Sequence, residues 1–175
     1  MGDLKSIAEG LKQESDALID ALRSTKAREV IDRVGQLSDQ QFIDIAALTA
    51  QSCDTPFAAV SLIDDTTSYF KGIIPEVPMT CMDRNNVICN ILTKTPDQEL
   101  VIYDTEADER VCGLPFVNGT YDYLRFYAGL PLTTKEGHAI GTICVLDRVP
   151  RKIRLDQMAA MDRLRRIALD LMGER

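Results

Sequence analysis

The side chains best suited to covalent or metal chemistry are five cysteines and one histidine: Cys53, Cys81, Cys89, Cys112, Cys144 and His138. The cysteines are odd in number, irregularly spaced and form no CxxC pair. This pattern indicates reduced thiols in a cytosolic protein rather than a disulfide framework or a zinc site. With a single histidine, a Cys–His catalytic pair, a His-rich metal site and a histidine-ligated haem all lack parts. We therefore expect no metal ion and no catalytic histidine.

Charge and hydropathy exclude several partners. The net charge of -7 argues against a nucleic-acid surface. The segment from Arg148 onward is locally basic, with eight Lys and Arg against four Asp and Glu, which is typical of a solvated helix face. No stretch reaches the roughly 18 continuous apolar residues of a spanning helix, and the N-terminus lacks a signal-peptide pattern. We expect a cytoplasmic protein that binds neither nucleic acid nor membranes.

Such side chains need a scaffold, and its centre is the stretch 124–147. It contains two apolar segments, 124–132 and 139–146, joined by the polar sequence Thr-Lys-Glu-Gly-His. The glycine makes a positive φ inexpensive and favours a hairpin. Each segment is apolar on both faces, so both faces of the resulting sheet should be covered.

The remaining elements follow from periodicity and capping. The patterns predict helices over 3–34, 38–53, 83–92 and 154–172, strands over 57–63, 68–71 and 100–103, and a helical turn over 105–111. Ser38 and Gln41 form a candidate capping box for the second helix. In the first helix Leu4, Leu11 and Leu18 repeat every seven residues, which favours helix pairing between two chains. Packing of this helix back onto its own domain is the alternative.

Successive hairpins predict an α+β fold with a central antiparallel sheet. We expect 57–63 and 139–146 as inner strands, and the helices 38–53 and 154–172 together on one face. The middle segments would cover the other face and leave a cavity for a small ligand between them and the sheet. The predicted division is a helical extension over 1–36, serving dimerisation, and a sensor domain over 37–172.

The chain resembles the GAF domains of bacterial signalling proteins. The segments that carry the resemblance are FAAVSLIDDTTSYFKG, VIYDTEADERVCGLPFVNG and, most specifically, RFYAGLPLTTKEGHAIGTICVLDRVPR. The last is similar to the subgroup found beside histidine kinases and diguanylate cyclases, which implies an α/β/α sandwich, a role in two-component signalling and an output domain or partner protein.

Two departures bear on the ligand. The subgroup usually reads FCAHAI where this chain reads NVICNI, so Cys89-Asn90 stands in the region of its Cys-His pair. Bilin attachment in related domains uses a Cys followed by His, which argues against a bilin here. The NKFDE-type pattern of cyclic-nucleotide-binding GAF domains is also absent. The ligand and any cofactor are therefore left open.

A redox alternative comes from the cysteines. Free methionine-(R)-sulfoxide reductases are stand-alone GAF domains with cysteines in an order similar to Cys81, Cys89 and Cys112. In that chemistry one thiolate attacks the sulfoxide sulfur and a second thiol resolves the sulfenic acid. Free cysteines also serve as small core residues.

We interpret the chain as a non-catalytic sensory module that binds a small molecule and signals through its terminal helices in a homodimer. The alternatives are the thiol reductase and a purely structural dimerisation domain. The candidate ligand-binding residues are Phe70, Asn86, Cys89, Asn90, Arg110, Phe116 and Tyr127. Arg110 would suit an anionic group, or form a salt bridge to Asp104 or Asp108. In the dimer, Leu164 and Leu171 would extend the pairing surface at the C-terminal end.

Overall fold

The structure, a computed structural model, describes residues 2–35 and 37–174. Its helices are α1 (Gly2–Val34), α2 (Gln40–Cys53) and α3 (Leu155–Leu171), with 3₁₀ helices at Arg84–Asn86 and Ile88–Lys94. Its strands are β1 (Phe57–Ile63), β2 (Thr67–Ile74), β3 (Cys81–Asp83), β4 (Leu100–Ile102), β5 (Phe126–Thr133) and β6 (Ala139–Asp147). No helix in this described part of the chain is long and apolar enough to cross a membrane.

The six strands form one antiparallel sheet in the order β3-β2-β1-β6-β5-β4. The predicted inner strands, β1 and β6, are the two central ones, and Ala59 pairs with Cys144 between them. The predicted β5–β6 hairpin is also confirmed. Its turn contains Gly137 at a φ of 88°, a left-handed conformation in which a glycine avoids steric strain.

The helices cover one face of the sheet. Alternate residues of β1, namely Ala58, Val60 and Leu62, point into a core shared with α2 and α3, as the two-residue period of a strand requires. Helices α2 and α3 therefore lie on the same face, which confirms the prediction. Helix α2 begins at Gln40 with Asp39 as its cap residue, and Ser38 Oγ accepts a hydrogen bond from the Gln40 amide. The predicted cap position was thus one residue too early.

Helix α1 has two halves with different surroundings. Its C-terminal half buries Arg23, Ala27, Val30 and Val34, whose spacing keeps them on one helix face. Its N-terminal half exposes six large apolar residues: Leu4, Ile7, Leu11, Leu18, Ile19 and Leu22. The C-terminal half folds back onto its own domain, and the N-terminal half does not.

The C-terminal part of α1 meets the C-terminal segment of the described chain on this face. Arg33 of α1 donates to the Met172 carbonyl over 2.7 Å, and Lys26 forms an ion pair with Glu174 at 3.3 Å. Leu164 and Leu171 of α3 pack against the core rather than forming a free seam. Among residues 2–35 and 37–174, the exposed repeat of leucines is therefore the one on α1.

The middle of the chain covers the opposite face. Ala59, Tyr127 and Cys144 of the sheet form a second apolar cluster with residues from two covering segments, 87–92 and 111–117. The predicted helix over 83–92 was wrong, because the backbone is extended at Val87 (φ -113°, ψ 140°) and separates two short 3₁₀ helices. Asp83 caps the first of them by accepting a hydrogen bond from the Asn85 amide. Strand β3 was not predicted, since three residues carry too little periodicity.

Candidate functional site

A cavity of about 260 Å³ lies between the sheet and the covering segments. The sheet contributes Ala59, Phe70, Tyr127, Cys144 and Leu146 to its wall, and the covering segments contribute Val87, Ile88, Cys89 and Phe116. Leu124, just before β5, and Pro75, Val77 and Met79 of the β2–β3 loop also line it. The wall is overwhelmingly apolar, and ligand sites are mostly apolar cavities of this order of size.

At one end of the cavity, here called its floor, Cys89 of the cover contacts Cys144 and Tyr127 of the sheet. The Cys89 and Cys144 sulfurs lie 3.7 Å apart, and the Tyr127 hydroxyl donates to Cys89 Sγ over 3.3 Å. Hydrogen bonding from Cys144 lowers the pKa of the Cys89 thiol to about 7, against burial, which raises it; Thr142 and Tyr127 add to the lowering. The contact with Cys89, together with burial, raises the pKa of Cys144 well above its ordinary value.

The other end of the cavity carries an ion pair. Arg148 donates to both carboxylate oxygens of Asp122, over 2.8 and 2.7 Å, and its guanidinium stacks 4.7 Å above the centroid of the Phe57 ring. Because the Arg148 side chain is 58% exposed, this end meets the solvent. The two charges of the wall thus neutralise each other at the entrance.

Of the seven predicted ligand-binding residues, the structure brings four to the cavity wall: Phe70, Cys89, Phe116 and Tyr127. The other three are Asn86, Asn90 and Arg110, and they are not part of it. Asn90 accepts a hydrogen bond from Arg84 over 2.8 Å, and Asn86 ends the first 3₁₀ helix.

Arg110 lies at a separate surface groove lined by residues 101–104 and 107–110. There it forms the predicted salt bridge to Asp108, at 2.5 Å. Arg110 therefore lies outside the lining of the cavity.

The three cysteines of the redox hypothesis lie in different surroundings. Cys89 is buried, whereas Cys81 and Cys112 are exposed. The thiol in contact with Cys89 is Cys144, which is not among the three cysteines of that hypothesis. Within residues 2–35 and 37–174, no group of three or more His, Cys, Asp or Glu side chains could hold a metal ion.

A buried polar network connects the cavity cover to α1. Arg84, which precedes the covering 3₁₀ helix, donates to Asp20 of α1 over 3.1 Å and to the Asp64 carbonyl over 3.0 Å. Arg23 of α1 donates to the same Asp20 carboxylate over 2.8 Å and to the Ile63 carbonyl over 2.5 Å. Burial raises the pKa of Asp20, but hydrogen bonds and charges from Arg23 and Arg84 outweigh it and lower the pKa overall. Sequence reasoning missed this network.

Solved structures with the same architecture come from bacterial and archaeal proteins. A protein described as a GAF sensor from Burkholderia vietnamiensis superposes with a TM-score of 0.60 at 17% identity, over 91% of this chain and 94% of that one. The GAF domain of an Acinetobacter phosphoenolpyruvate-protein phosphotransferase gives 0.65 at 10% identity, over 84% and 90%. A type II free methionine-R-sulfoxide reductase from Thermoplasma acidophilum gives 0.63 at 9% identity, over 79% and 94%.

These structures share the architecture of this chain, which is an α+β sandwich with a cavity between its antiparallel sheet and the segments that cover one face. The chain has the GAF fold, as its motifs predicted. No protein-family model matches it. At the sequence level it is 32% identical over 136 residues to the cyclic di-GMP phosphodiesterase PA2567 of Pseudomonas aeruginosa. The matched region is 75% of this chain and 22% of that protein, so the chain spans about a fifth of the length of this relative.

Proposed function

We propose that the chain is a sensory domain that binds a small uncharged apolar molecule and transmits its presence through α1. The observation that carries the proposal is the position of the 88–94 helix. One side of this helix closes the cavity through Ile88 and Cys89, while Asn90 beside them is hydrogen-bonded to Arg84. A ligand that displaces this helix also strains the bonds that Arg84 makes to α1.

The wall supports an apolar ligand. Asp122 and Arg148 are the charged groups of the lining, and they satisfy each other at the entrance. A carboxylate or phosphate deep in the cavity would lose its hydration and find no cation to pair with. Burying an unpaired charge in this way costs a large amount of free energy. The two thiols are weak hydrogen-bonding groups, and the Tyr127 hydroxyl already donates to Cys89. Apolar cavities of ~150 Å³ in other proteins hold molecules of the size of benzene, so a single-ring compound fits the volume here.

Transmission to α1 would run through Asp20. Arg84 and Arg23 both bond to Asp20, and both also bond to carbonyls at the β1–β2 turn. The carboxylate is therefore held between the cover and the sheet. In this proposal the cover has two positions, with and without ligand. The ligand can shift the equilibrium between them only by the difference between its binding free energies for the two.

The output surface would be the exposed leucine repeat of α1 in a homodimer. Its residues Leu4, Leu11 and Leu18 are 76%, 63% and 62% exposed, and a seven-residue apolar repeat is the pattern of paired helices. In this proposal 1–36 serves as the dimerisation extension and 37–172 as the sensor domain, in a cytoplasmic signalling protein. An output domain or partner protein would read the change in α1.

A thiol reductase is the second candidate, because two methionine-R-sulfoxide reductases share the fold. Cys81 and Cys112 are exposed and do not line the cavity. The thiols in its lining are those of Cys89 and Cys144. In a thiol-dependent assay with free methionine sulfoxide we expect no turnover. Turnover that Cys112→Ser abolishes would replace the sensor proposal with this one.

Two-dimensional NMR with toluene and benzoate tests the sensor proposal. The two probes share one ring and differ in a charge. Toluene should shift the amide signals of residues around the cavity, including Cys89 and Cys144, and should also shift those near Asp20. Benzoate should not. The variant Ala59→Leu fills the cavity and should lose the response, while the same substitution at exposed Ala47 should keep it.

The Arg84→Met variant separates binding from transmission. It should still show the cavity shifts with toluene but lose those near Asp20. If wild-type protein shows no shift with saturating toluene, or if Ala59→Leu responds as fully as Ala47→Leu, the cavity is not a ligand site. The third interpretation, a purely structural dimerisation domain, would then remain.

A further inference from the structure

Two buried thiols face each other across the floor of the cavity. Cys144 belongs to the central strand β6, paired on both sides, and Cys89 belongs to the short 3₁₀ helix that covers the sheet. Their side chains are 1% and 6% exposed, yet both line the cavity. A molecule inside the cavity therefore reaches sulfurs that bulk solvent does not.

The distance between the sulfurs suits a bond between them. At 3.7 Å they lie about 1.7 Å beyond the ~2.05 Å of a disulfide. Strand β6 is held by hydrogen bonds on both edges, whereas the 88–94 helix is a short element whose ends join irregular segments. The approach would thus come from Cys89 moving toward the sheet, together with rotation about its side-chain bond.

The surroundings prepare Cys89 to react first. The Tyr127 hydroxyl donates to its sulfur, and hydrogen bonding from Cys144 favours its thiolate over that of Cys144 itself. Thiolates are the nucleophilic form of cysteine. The apolar wall and the neutralised entrance admit small uncharged oxidants more readily than anions.

We propose that Cys89 and Cys144 form an oxidation site for hydrogen peroxide or a small neutral hydroperoxide. The Cys89 thiolate attacks one peroxide oxygen and the O–O bond breaks. Hydroxide from hydrogen peroxide, or alkoxide from a hydroperoxide, leaves with the electron pair of that bond and takes up a proton to give water or an alcohol. The Cys144 thiol then attacks the Cys89 sulfenic acid, an S–S bond forms and water leaves. In total, the two thiols lose two electrons, and the oxidant is reduced to two waters or to one alcohol and one water.

Oxidation would draw the cover onto the sheet and reduce the cavity. The 88–94 helix, which also carries Asn90, would then control ligand access. Oxidation would pull this helix toward the sheet, whereas a bound ligand would push it away. The proposal concerns the thiols alone and stands whether or not the sensor function is correct.

The test uses a chain in which the other three cysteines are replaced, Cys53→Ser, Cys81→Ser and Cys112→Ser. After exposure to stoichiometric peroxide and then alkylation, its mass should fall by two hydrogens and it should take up no alkyl group. Adding Cys144→Ser should abolish the disulfide and leave Cys89 as a sulfenic acid that a dimedone reagent traps.

Peptide mapping of oxidised wild-type protein provides a second measurement that needs no substitution. It should show the Cys89–Cys144 cross-link, with Cys53, which is buried on the opposite face of the sheet, still alkylated. The proposal is overturned if wild-type protein retains both cavity thiols while Cys81 or Cys112 is oxidised. It is also overturned if Cys89 proceeds to a sulfinic acid with Cys144 still reduced.

Discussion

Arg84 and Asp20 lie 64 positions apart in the chain and 3.1 Å apart in the fold. One belongs to the cover of a cavity and the other to a helix whose far end projects from the domain. The Arg84 side chain is 7% exposed and that of Asp20 is 41% exposed. The ion pair therefore joins a buried cation to a carboxylate at the protein surface, and each of its partners has further bonds that hold the geometry.

The Arg84→Met variant should lose about 2 kcal/mol of unfolding free energy, because it removes a buried cation that several acceptors depend on. Denaturant titration followed by circular dichroism measures this loss. Arg110→Met is the matched control, since its pair with Asp108 has a 55% exposed cation and should cost at most about 1 kcal/mol. If both substitutions lower the free energy of unfolding equally, the bonds of Arg84 stabilise the fold no more than the surface ion pair of Arg110 does.

Acid should weaken the contribution of Asp20. Its folded pKa lies below the ordinary value of about 3.9, so its charge stabilises the fold above that pH. The stabilisation is lost as the pH falls through the folded pKa. The difference in unfolding free energy between wild type and Asp20→Asn should therefore be largest above about pH 4 and shrink below it. A difference that stays constant or grows in acid would contradict this assignment.

Replacing Leu11 and Leu18 by Asp should convert a dimer into a monomer. Both side chains are exposed on α1, so the change should leave the core and its thermal stability intact. Light scattering at tens of micromolar gives the mass, a range in which a dimer with a Kd of about 1 μM is largely formed. Leu48→Asp with Leu155→Asp is the control, because these residues are also exposed, at 49% and 90%, and lie away from α1. A wild-type monomer at this concentration would refute the proposed assembly.

Gly72→Ala should lower the free energy of unfolding by at least about 1 kcal/mol. A Cβ at this position would overlap the Phe42 carbonyl of α2, so the helix and strand β2 would have to separate. The same substitution at Gly113 meets nothing within 4 Å and should change the stability little. Thermal unfolding of the two variants side by side measures the contrast, and similar melting temperatures would argue against a close helix–sheet contact.

Much of the fold could be predicted from the sequence, because the apolar segments are long and regular. The inner strands 57–63 and 139–146 and the helices on one face follow from their periodicity. Strand β3 and the break at Val87 could not, since a three-residue edge strand and a single extended residue leave no periodic signal.

The site was only partly predictable. Phe70 and Tyr127 are large aromatic residues on two strands of the sheet, Phe116 is one on a segment that covers the sheet, and all three line the cavity. The polar residues were chosen for their hydrogen-bonding groups, and Asn90 uses its group within the fold to hold Arg84. The Cys89–Cys144 contact joins residues 55 positions apart, which a single sequence does not reveal.

Both borders of the sheet are three-residue strands, β3 at one and β4 at the other. A strand this short offers few unpaired backbone groups to a neighbouring chain, and natural proteins use short borders to avoid uncontrolled β-aggregation. The domain can therefore expose an apolar helix for self-association and still resist polymerising through its sheet. We expect crowded or concentrated solutions to contain discrete oligomers rather than fibrils.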